Sequence, residues 1–470
     1  MPRGYRLLCS GDLHVGRRPS RVEGFLDAAQ CSCAAMFGQI VARAIAERVD
    51  AVAFSGDLVD QSNKYHEAFG PLERGLRELA QAGIDVVAIA GNHDFDVLPR
   101  LAEAMNDASA AGRFHLLGRA GSWDCTLIGD GRNSPPLRVI GFSFPTERFT
   151  DNPLRTLQTS GLAGFADSDG PILGLLHADL DQPQSVYAPV MRRDLCSNCA
   201  ADASMWLLGH IHRPQWIPSD GATPALLYPG SPAAMDPGEG GVHGPWIVEI
   251  DSAGRVSARQ IPLSLVRYDE IEIDLTGVAT TEAFDAMLPK RIREHVAAAC
   301  EACAGGGSAP ELLCARVRLI GATSLHRELR TLAQAAVEQL DIQVNRCRVR
   351  LDGITIDTRP PVDLRSLAVG HSVVAELSRL LLELEQSENG GVQAISPLLT
   401  QATELAEEIA LCRAYQPLCG DARVGDGDDS STARAMLRRQ GLALLDELLA
   451  QKNPSPADEQ DADAAEVFSS

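Results

Sequence analysis

The segment "MWLLGHIHRPQW" ends an apolar run at Gly209 and then places His210 and His212 on either side of Ile211. In an extended backbone alternate side chains share a face, which would set these two imidazoles about 7 Å apart along the chain and aim them the same way. Neutral imidazoles converging on one spot suit a divalent cation. A surface loop that happens to hold two histidines is the alternative, and the pair alone favours a metal only modestly. The rest of the chain adds to it. "CSGDLHVG" carries Asp12 and His14 at the same spacing, "FSGDLVDQ" carries Asp57 and, three residues on, Asp60, "IAGNHDFD" carries Asn92, His93 and Asp94, and "LLHADL" carries His177. Carboxylates, an amide oxygen and imidazoles form the mixed oxygen and nitrogen set suited to manganese, iron or zinc. Each motif is weak by itself. All five close an apolar run, and four have a glycine directly before the polar group, where the backbone must turn and leave room for a ligand.

Those groups need elements to hold them. Ten short apolar runs between Tyr5 and Asp251 read as strands: YRLLCS, AVAFSG, DVVAIAG, FHLLG, CTLIG, LRVIGFSF, ILGLLHA, MWLLGH, ALLYPG and WIVEID. Many are continuously apolar, as strands covered on both faces are. Residues 25–49 and 66–82 carry helical spacing. The pattern predicts an α/β sandwich with mixed sheets. In open α/β sheets, sites form beyond the carboxyl ends of the strands, so the five polar strand ends would meet in one cleft.

At 470 residues the chain is long enough for two or three domains. The core would run over residues 1–265. Residues 266–362 read as a small β-α-β-α-β unit with strands YDEIEIDL, ELLCARVRLIG and IQVNRCRVRL, the last as one strand. Residues 363–452 look helical, with Leu and Ala faces too few for a core of their own, and the acidic residues 453–470 are expected to be disordered. The net charge of −21 argues against a protein that coats nucleic acid through bulk charge. It does not exclude an enzyme whose metals and local basic rim attract a polyanion. No apolar run approaches the ~18 residues of a membrane span, and the first apolar stretch is too short for a signal peptide, so a cytoplasmic location is expected. Most of the twelve cysteines stand singly among apolar residues, where reduced thiols are expected. The two CxxC pairs, Cys196/Cys199 and Cys300/Cys303, lie about 100 residues apart, too far for a compact zinc ribbon, and read as coincidence.

The ordered series D-x-H, G-D-x-x-D, G-N-H-D, H and G-H-x-H resembles that of the calcineurin-like metallophosphoesterases. Within that superfamily, "GHIHRPQW…YPGSP", "CARVRLIGATSLHREL" and the order of core, cap and tail look like the SbcD-type bacterial DNA repair exonuclease subunits, over roughly residues 1–365. The resemblance implies a four-layer α/β/β/α sandwich with a small α+β cap domain and a helical C-terminal tail. It implies two divalent metal ions, most often Mn2+, with Asp12, His14 and His212 on one, Asn92, His177 and His210 on the other, and Asp57 bridging them. It also implies a DNA substrate and a partnership with an SbcC-like coiled-coil ATPase subunit, and it leaves a homodimer open.

His93 stands next to Asn92 and is the natural acid for the leaving group, oriented by Asp60 or by Asp94. A capping or turn role for His93 and Asp60 is the alternative, and the surrounding motifs place it second. Arg17, Arg18 and Arg21 follow the first ligand pair directly, Arg213 follows the last, and they could grip phosphates, although solvated loop arginines are as good a reading for the first three. The competing functions are a phosphatase or phosphodiesterase of small-molecule or protein phosphoesters and a non-catalytic regulator of an ATPase. The complete donor set counts against the regulator.

Overall fold

The computed structural model describes residues 4–106, 112–129, 135–157, 170–196, 202–221, 223–303, 305–386, 396–411 and 429–452. The acidic tail, Cys199 and the Gly- and Asp-rich stretch before the last helix lie outside them. The chain divides into two compact units. The first comprises Met1–Ile271, Pro289–Val317 and Gln339–Gly353, and the second Glu272–Leu288, Arg318–Glu338 and Ile354–Ser470.

Twelve strands of the first unit form two six-stranded sheets. In chain order they are β1 (Tyr5–Ser10), β2 (Ala51–Phe54), β3 (Asp85–Ala88), β4 (Phe114–Leu116), β5 (Trp123–Ile128), β6 (Leu137–Phe142), β7 (Ile172–His177), β8 (Met205–Gly209), β9 (Gln215–Ile217), β10 (Ala225–Tyr228), β11 (Trp246–Ile250) and β12 (Val256–Gln260). One sheet runs β12-β11-β1-β2-β3-β4 and the other β5-β6-β7-β8-β10-β9. β1, β2, β3 and β4 are mutually parallel, as are β6, β7, β8 and β10. The edge pairings are antiparallel. β9 and β12 are short or polar and carry no apolar run, which is why the sequence pattern passes over them.

Strand alternation sorts the core into layers. Leu7, Cys9, Ala53, Val87, Leu173, Leu175 and Leu207 face inward between the sheets. Leu8, Val52, Phe54 and Ala88 face the helices Cys33–Glu47, Tyr65–Gln81 and Val97–Asn106, packing on Phe37, Ile40, Leu72 and Leu101. Ile140, Phe142, Trp206 and Leu208 face the opposite flank, covered by the four-residue helices Leu154–Leu157 and Arg192–Leu195 and by loops. The architecture is therefore the expected α/β/β/α sandwich, with one helical layer thin among the described residues. Ser32 caps the first helix by accepting a hydrogen bond from the Ala35 amide at 3.2 Å, an arrangement worth about 1 kcal/mol.

A third sheet has the order β13 (Val266–Asp274), β14 (Leu312–Ala322), β16 (Cys347–Arg359), β15 (Ile342–Val344), with helices Thr281–Ala302 and Leu329–Gln339 between its strands in sequence. The segment IQVNRCRVRL is not one strand. Asn345 takes φ 55°, and Ile342–Val344 folds back antiparallel on Cys347–Val349. An Asn tolerates the left-handed conformation that such a tight reversal needs. Cys300 and Cys303 are free thiols.

The helices Val373–Gln386 and Asp429–Lys452 do have a small core of their own. Leu381, Leu442 and Leu445 are buried together with Leu364 in the second unit. Their apolar faces were underestimated because the partners lie some 60 residues apart in sequence, beyond the reach of helical periodicity.

Candidate metal centre

The three adjacent parallel strands β1, β2 and β3 deliver Asp12 and His14, Asp57 and Asp60, and Asn92, His93 and Asp94. The adjacent parallel strands β7 and β8 of the other sheet deliver His177 and, past Gly209, His210 and His212. The two groups meet. The amide of His210 donates to Asp12 Oδ1 at 2.9 Å, and His177 Nε2 lies 3.4 Å from Asp57 Oδ2. Donor atoms of Asp12, His14 and His212 lie within 4.8 Å of one another, as do those of Asp12, Asp57 and His177.

His210 and His212 are not a same-face pair in extended chain. The strand stops at Gly209, and His210 takes φ 90°. As a result His210 Nδ1 lies 3.2 Å from Asn92 Oδ1, whereas His212 Nε2 lies 3.1 Å from His14 Nε2. The two imidazoles thus serve opposite halves of the cluster. Asp12, His14 and Asp57 also have positive φ (48°, 50° and 51°). For residues with a Cβ such conformations cost roughly 1–3 kcal/mol each and persist where the surroundings impose them. Here they turn each side chain inward immediately after its strand. Glycine makes room: a Cβ on Gly91 would come within 2.2 Å of Asp57 Oδ1, and one on Gly56, at φ 103°, within 2.7 Å of His177 Nδ1.

The donor set fits divalent cations. His177 Nδ1 donates to the Ser55 carbonyl at 3.0 Å, leaving Nε2 to face Asn92 Oδ1 at 3.0 Å. His212 Nδ1 donates to Glu239 Oε1 at 2.5 Å, leaving Nε2 to face His14. His210 keeps Nε2 3.5 Å from the Asp179 carboxylate and turns Nδ1 inward. An outward N–H held by a carbonyl or carboxylate fixes the tautomer of a metal-binding imidazole. Asp12 Oδ2 is buried and accepts no hydrogen bond from the described residues, which costs about 1–3 kcal/mol or more for an oxygen left without a cation. His14 Nε2 and His212 Nε2, 3.1 Å apart, either share one proton as a hydrogen bond or can turn both lone pairs on a cation.

Burial disfavours a charged His177, but the Asp57 carboxylate beside it pushes its pKa up to about 9. Burial and the neighbouring His177 push His210 down to about 3, so its imidazole stays neutral. Burial opposes ionisation of Asp57 as well, yet His177 and His14 hold it well below the usual carboxylate range. A cation at this place would take over the charge balance, and His177 must give up its proton to ligate.

The geometry separates Asp60 from Asp94. Asp94 is fully buried and accepts hydrogen bonds from the amides of Leu58 (2.8 Å), Val59 (3.3 Å) and Gly91 (2.7 Å). Burial and the nearby Asp57 push its pKa up to about 7, and its contacts are those of a brace between two loops. Asp60 stands beside His93, but its backbone makes the hydrogen bond: His93 Nδ1 donates to the Asp60 carbonyl oxygen at 2.7 Å, whereas its carboxylate lies 3.9 Å away and nearer to His14 Nδ1, at 3.5 Å. The His93 amide donates to Asp57 Oδ1 at 2.9 Å, so this residue also positions the central carboxylate. Arg17 Nε lies 3.9 Å from Asp60, and Arg18 and Arg213 are exposed.

Glu239 was not singled out in the sequence. Its Oε2 accepts from Ser231 Oγ at 2.9 Å and from the Met235 amide at 2.8 Å, while Oε1 holds His212. Burial would raise its pKa, but the bond and charge of His212, with the Met235 amide and the Ser231 hydroxyl, together bring it down to about 2. No spacing rule could have found it, because it lies in the loop after β10, 27 residues from His212. Replacing Glu239 by Gln is expected to weaken divalent-cation affinity about 10–100-fold, the usual effect of losing such a support. Manganese titration of the variant checks this, and unchanged affinity would mean that Glu239 serves only its loop.

Residues 5–214 match the family of calcineurin-like phosphoesterases, and residues 268–359 match the middle domain of metallophosphoesterase YhaO. The match to the calcineurin-like phosphoesterase family thus falls on the sandwich and includes the strand ends that carry the donor cluster. The chain is 26% identical over 275 residues to the "uncharacterized metallophosphoesterase YhaO" of Bacillus subtilis strain 168, covering 57% of this chain and 63% of that protein. It is 30% identical over 233 residues to the DNA double-strand break repair protein Mre11 of Aeropyrum pernix, covering 49% of this chain and 54% of that one. The alignments therefore span less than two thirds of either relative. A solved dimetal phosphatase from Danio rerio aligns with 55% of this chain and 99% of its own at 14% identity, with a TM-score of 0.35. Among the described residues, no helix is long and apolar enough to cross a membrane.

Proposed function

We propose that this chain is a two-metal phosphodiesterase that hydrolyses DNA, a nuclease of DNA repair that works beside a coiled-coil ATPase. Asp12, His14 and His212 hold one cation, Asn92, His177 and His210 hold the other, and Asp57 serves both, with manganese the expected ion. Such a pair of cations lowers the pKa of water toward neutrality and offsets charge building on the phosphate oxygens.

The observation that carries the reading is the place of His93 beside the buried donors. Its side chain is 35% exposed, whereas those of His14 and His177 are 1% and 0% exposed. A carbonyl oxygen can only accept, so Nδ1 keeps its proton against Asp60, and Nε2 is the nitrogen that gains and loses one. That leaves an acid at the rim of the site, suited to protonate a departing alkoxide, as the 3′ or 5′ oxygen of a nucleic-acid strand is. The likeness to the DNA double-strand break repair protein Mre11 over 233 residues supports DNA as the substrate. Exposed Val373, Leu398 and Leu405 on the tail helices support a protein partner there.

The test offers the pure protein labelled linear DNA, a small phosphodiester and a nucleotide monoester under manganese, with and without chelator. Chelator-sensitive cleavage of DNA and of the diester is expected. Hydrolysis confined to the monoester would overturn the reading in favour of a phosphatase of small molecules or proteins.

A further inference from the structure

In a chain of net charge −21, one face of the first unit gathers arginines. Asp352 on β16, only 4% exposed, is approached by Arg21 Nε at 3.5 Å, Arg350 Nε at 3.6 Å and Arg316 Nε at 3.9 Å. A fourth guanidinium, that of Arg348, lies over the Phe25 ring at 4.7 Å, and Arg350 approaches the same ring at 5.7 Å. Three of these guanidinium groups share the Asp352 carboxylate, and the exposed Glu23 and Asp27 lie on the loop that carries Arg21. The contacts with Asp352 have loose ion-pair lengths, so the guanidinium forks are not consumed by it. Arg21 and Arg316 remain 49% and 56% exposed, and Arg348 is exposed too.

The face is also held in place. Arg350 Nη1 donates to the Arg21 carbonyl at 3.1 Å, the Tyr268 hydroxyl donates to the Ser20 carbonyl at 2.6 Å, and the Ser20 amide donates to the Met235 carbonyl at 2.8 Å. Val22 and Phe25 pack with Val266, Tyr268 and Leu312. These bonds tie the loop that leaves His14 to β13, β14 and β16. Cations fixed in advance lose little freedom on meeting an anion. The planar fork of arginine matches the two non-bridging oxygens of a phosphodiester.

We propose that Arg21, Arg316, Arg348 and Arg350 form a binding face for the phosphodiester backbone of nucleic acid, reached along the loop that begins at His14. The proposal rests on the nuclease reading for its connection with cleavage. Three guanidinium groups gathered on one carboxylate, with a fourth over the neighbouring Phe25 ring, present clustered positive charge to adjacent phosphates of one backbone, and Arg21 follows His14 by seven residues on the same loop.

The test measures binding of duplex DNA to the full chain by anisotropy, in chelator so that nothing is cut, over a range of salt. The parent is compared with Arg316→Gln/Arg348→Gln and with Arg316→Lys/Arg348→Lys. These two arginines are chosen because their exposure makes misfolding a small risk, and the melting temperature checks it. The Gln pair is expected to bind about 10-fold or more weakly near 0.15 M salt, with the slope of log affinity against log salt reduced by about 2. The Lys pair should keep the parent slope. A Gln pair with parent affinity and slope overturns the proposal, and a lowered melting temperature with unchanged binding makes the face a clamp between loop and sheet. A parent that binds no DNA, or a face saturated by an acidic peptide in preference to DNA, also overturns it. A parent that binds DNA through these arginines and cuts none sinks the nuclease reading and leaves the face standing.

Discussion

Asp57→Asn is expected to lower manganese-dependent hydrolysis by about 10³-fold or more and to weaken both cations together. The substitution keeps the shape of the side chain. It also keeps an oxygen for the His93 amide, 2.9 Å from Oδ1. What it removes is the charge and the second oxygen. Oδ2 lies 3.4 Å from His177 Nε2 and 4.0 Å from His14 Nε2, facing both halves of the cluster. An amide nitrogen there cannot ligate. His14→Ala, by contrast, should weaken mainly one cation, because an imidazole nitrogen serves a single ion. Calorimetric titration with manganese distinguishes them: the aspartate variant loses affinity at both equivalents and the histidine variant at one. Equal defects in the two variants would count against the bridge.

His93→Gln is expected to retain both cations and yet hydrolyse DNA about 10²–10⁴-fold more slowly. The argument turns on the leaving group. A deoxyribose alkoxide is strongly basic and needs a proton as it departs, whereas a nitrophenolate leaves readily without one. The loss should therefore be large with DNA and several-fold smaller with a nitrophenyl diester. Since His93 also donates its amide to Asp57, a side-chain substitution leaves that contact in place. Metal analysis and the two substrates decide the matter. An equal loss on both substrates, or loss of metal, would make His93 a structural or ligating residue instead of the acid.

Much of the centre was legible in the order of residues alone. Aspartate, asparagine and histidine directly after continuous apolar runs are costly unless they are used, and all the runs that carry them became strands ending at one edge of the two sheets. Composition, patterning and the glycines before the polar groups therefore determined the sandwich, the donor types and the strand ends that meet. How the donors divide was not in the spacing; the resemblance implied a division, and the tertiary structure supplies the contacts behind one. His210 and His212 look equivalent by spacing, but a positive φ at His210 sends it to Asn92 and leaves His212 to His14. Asp60 and Asp94 look interchangeable, but Asp94 is used up by three backbone amides while the Asp60 carbonyl holds His93. Glu239, Asp179 and the gathering of Arg316 and Arg350 with Arg21 on Asp352 left no trace in spacing, since their partners come from distant loops and strands. Periodicity reports which face of an element is buried, and only the packed fold decides which two buried or half-buried groups come within hydrogen-bond reach.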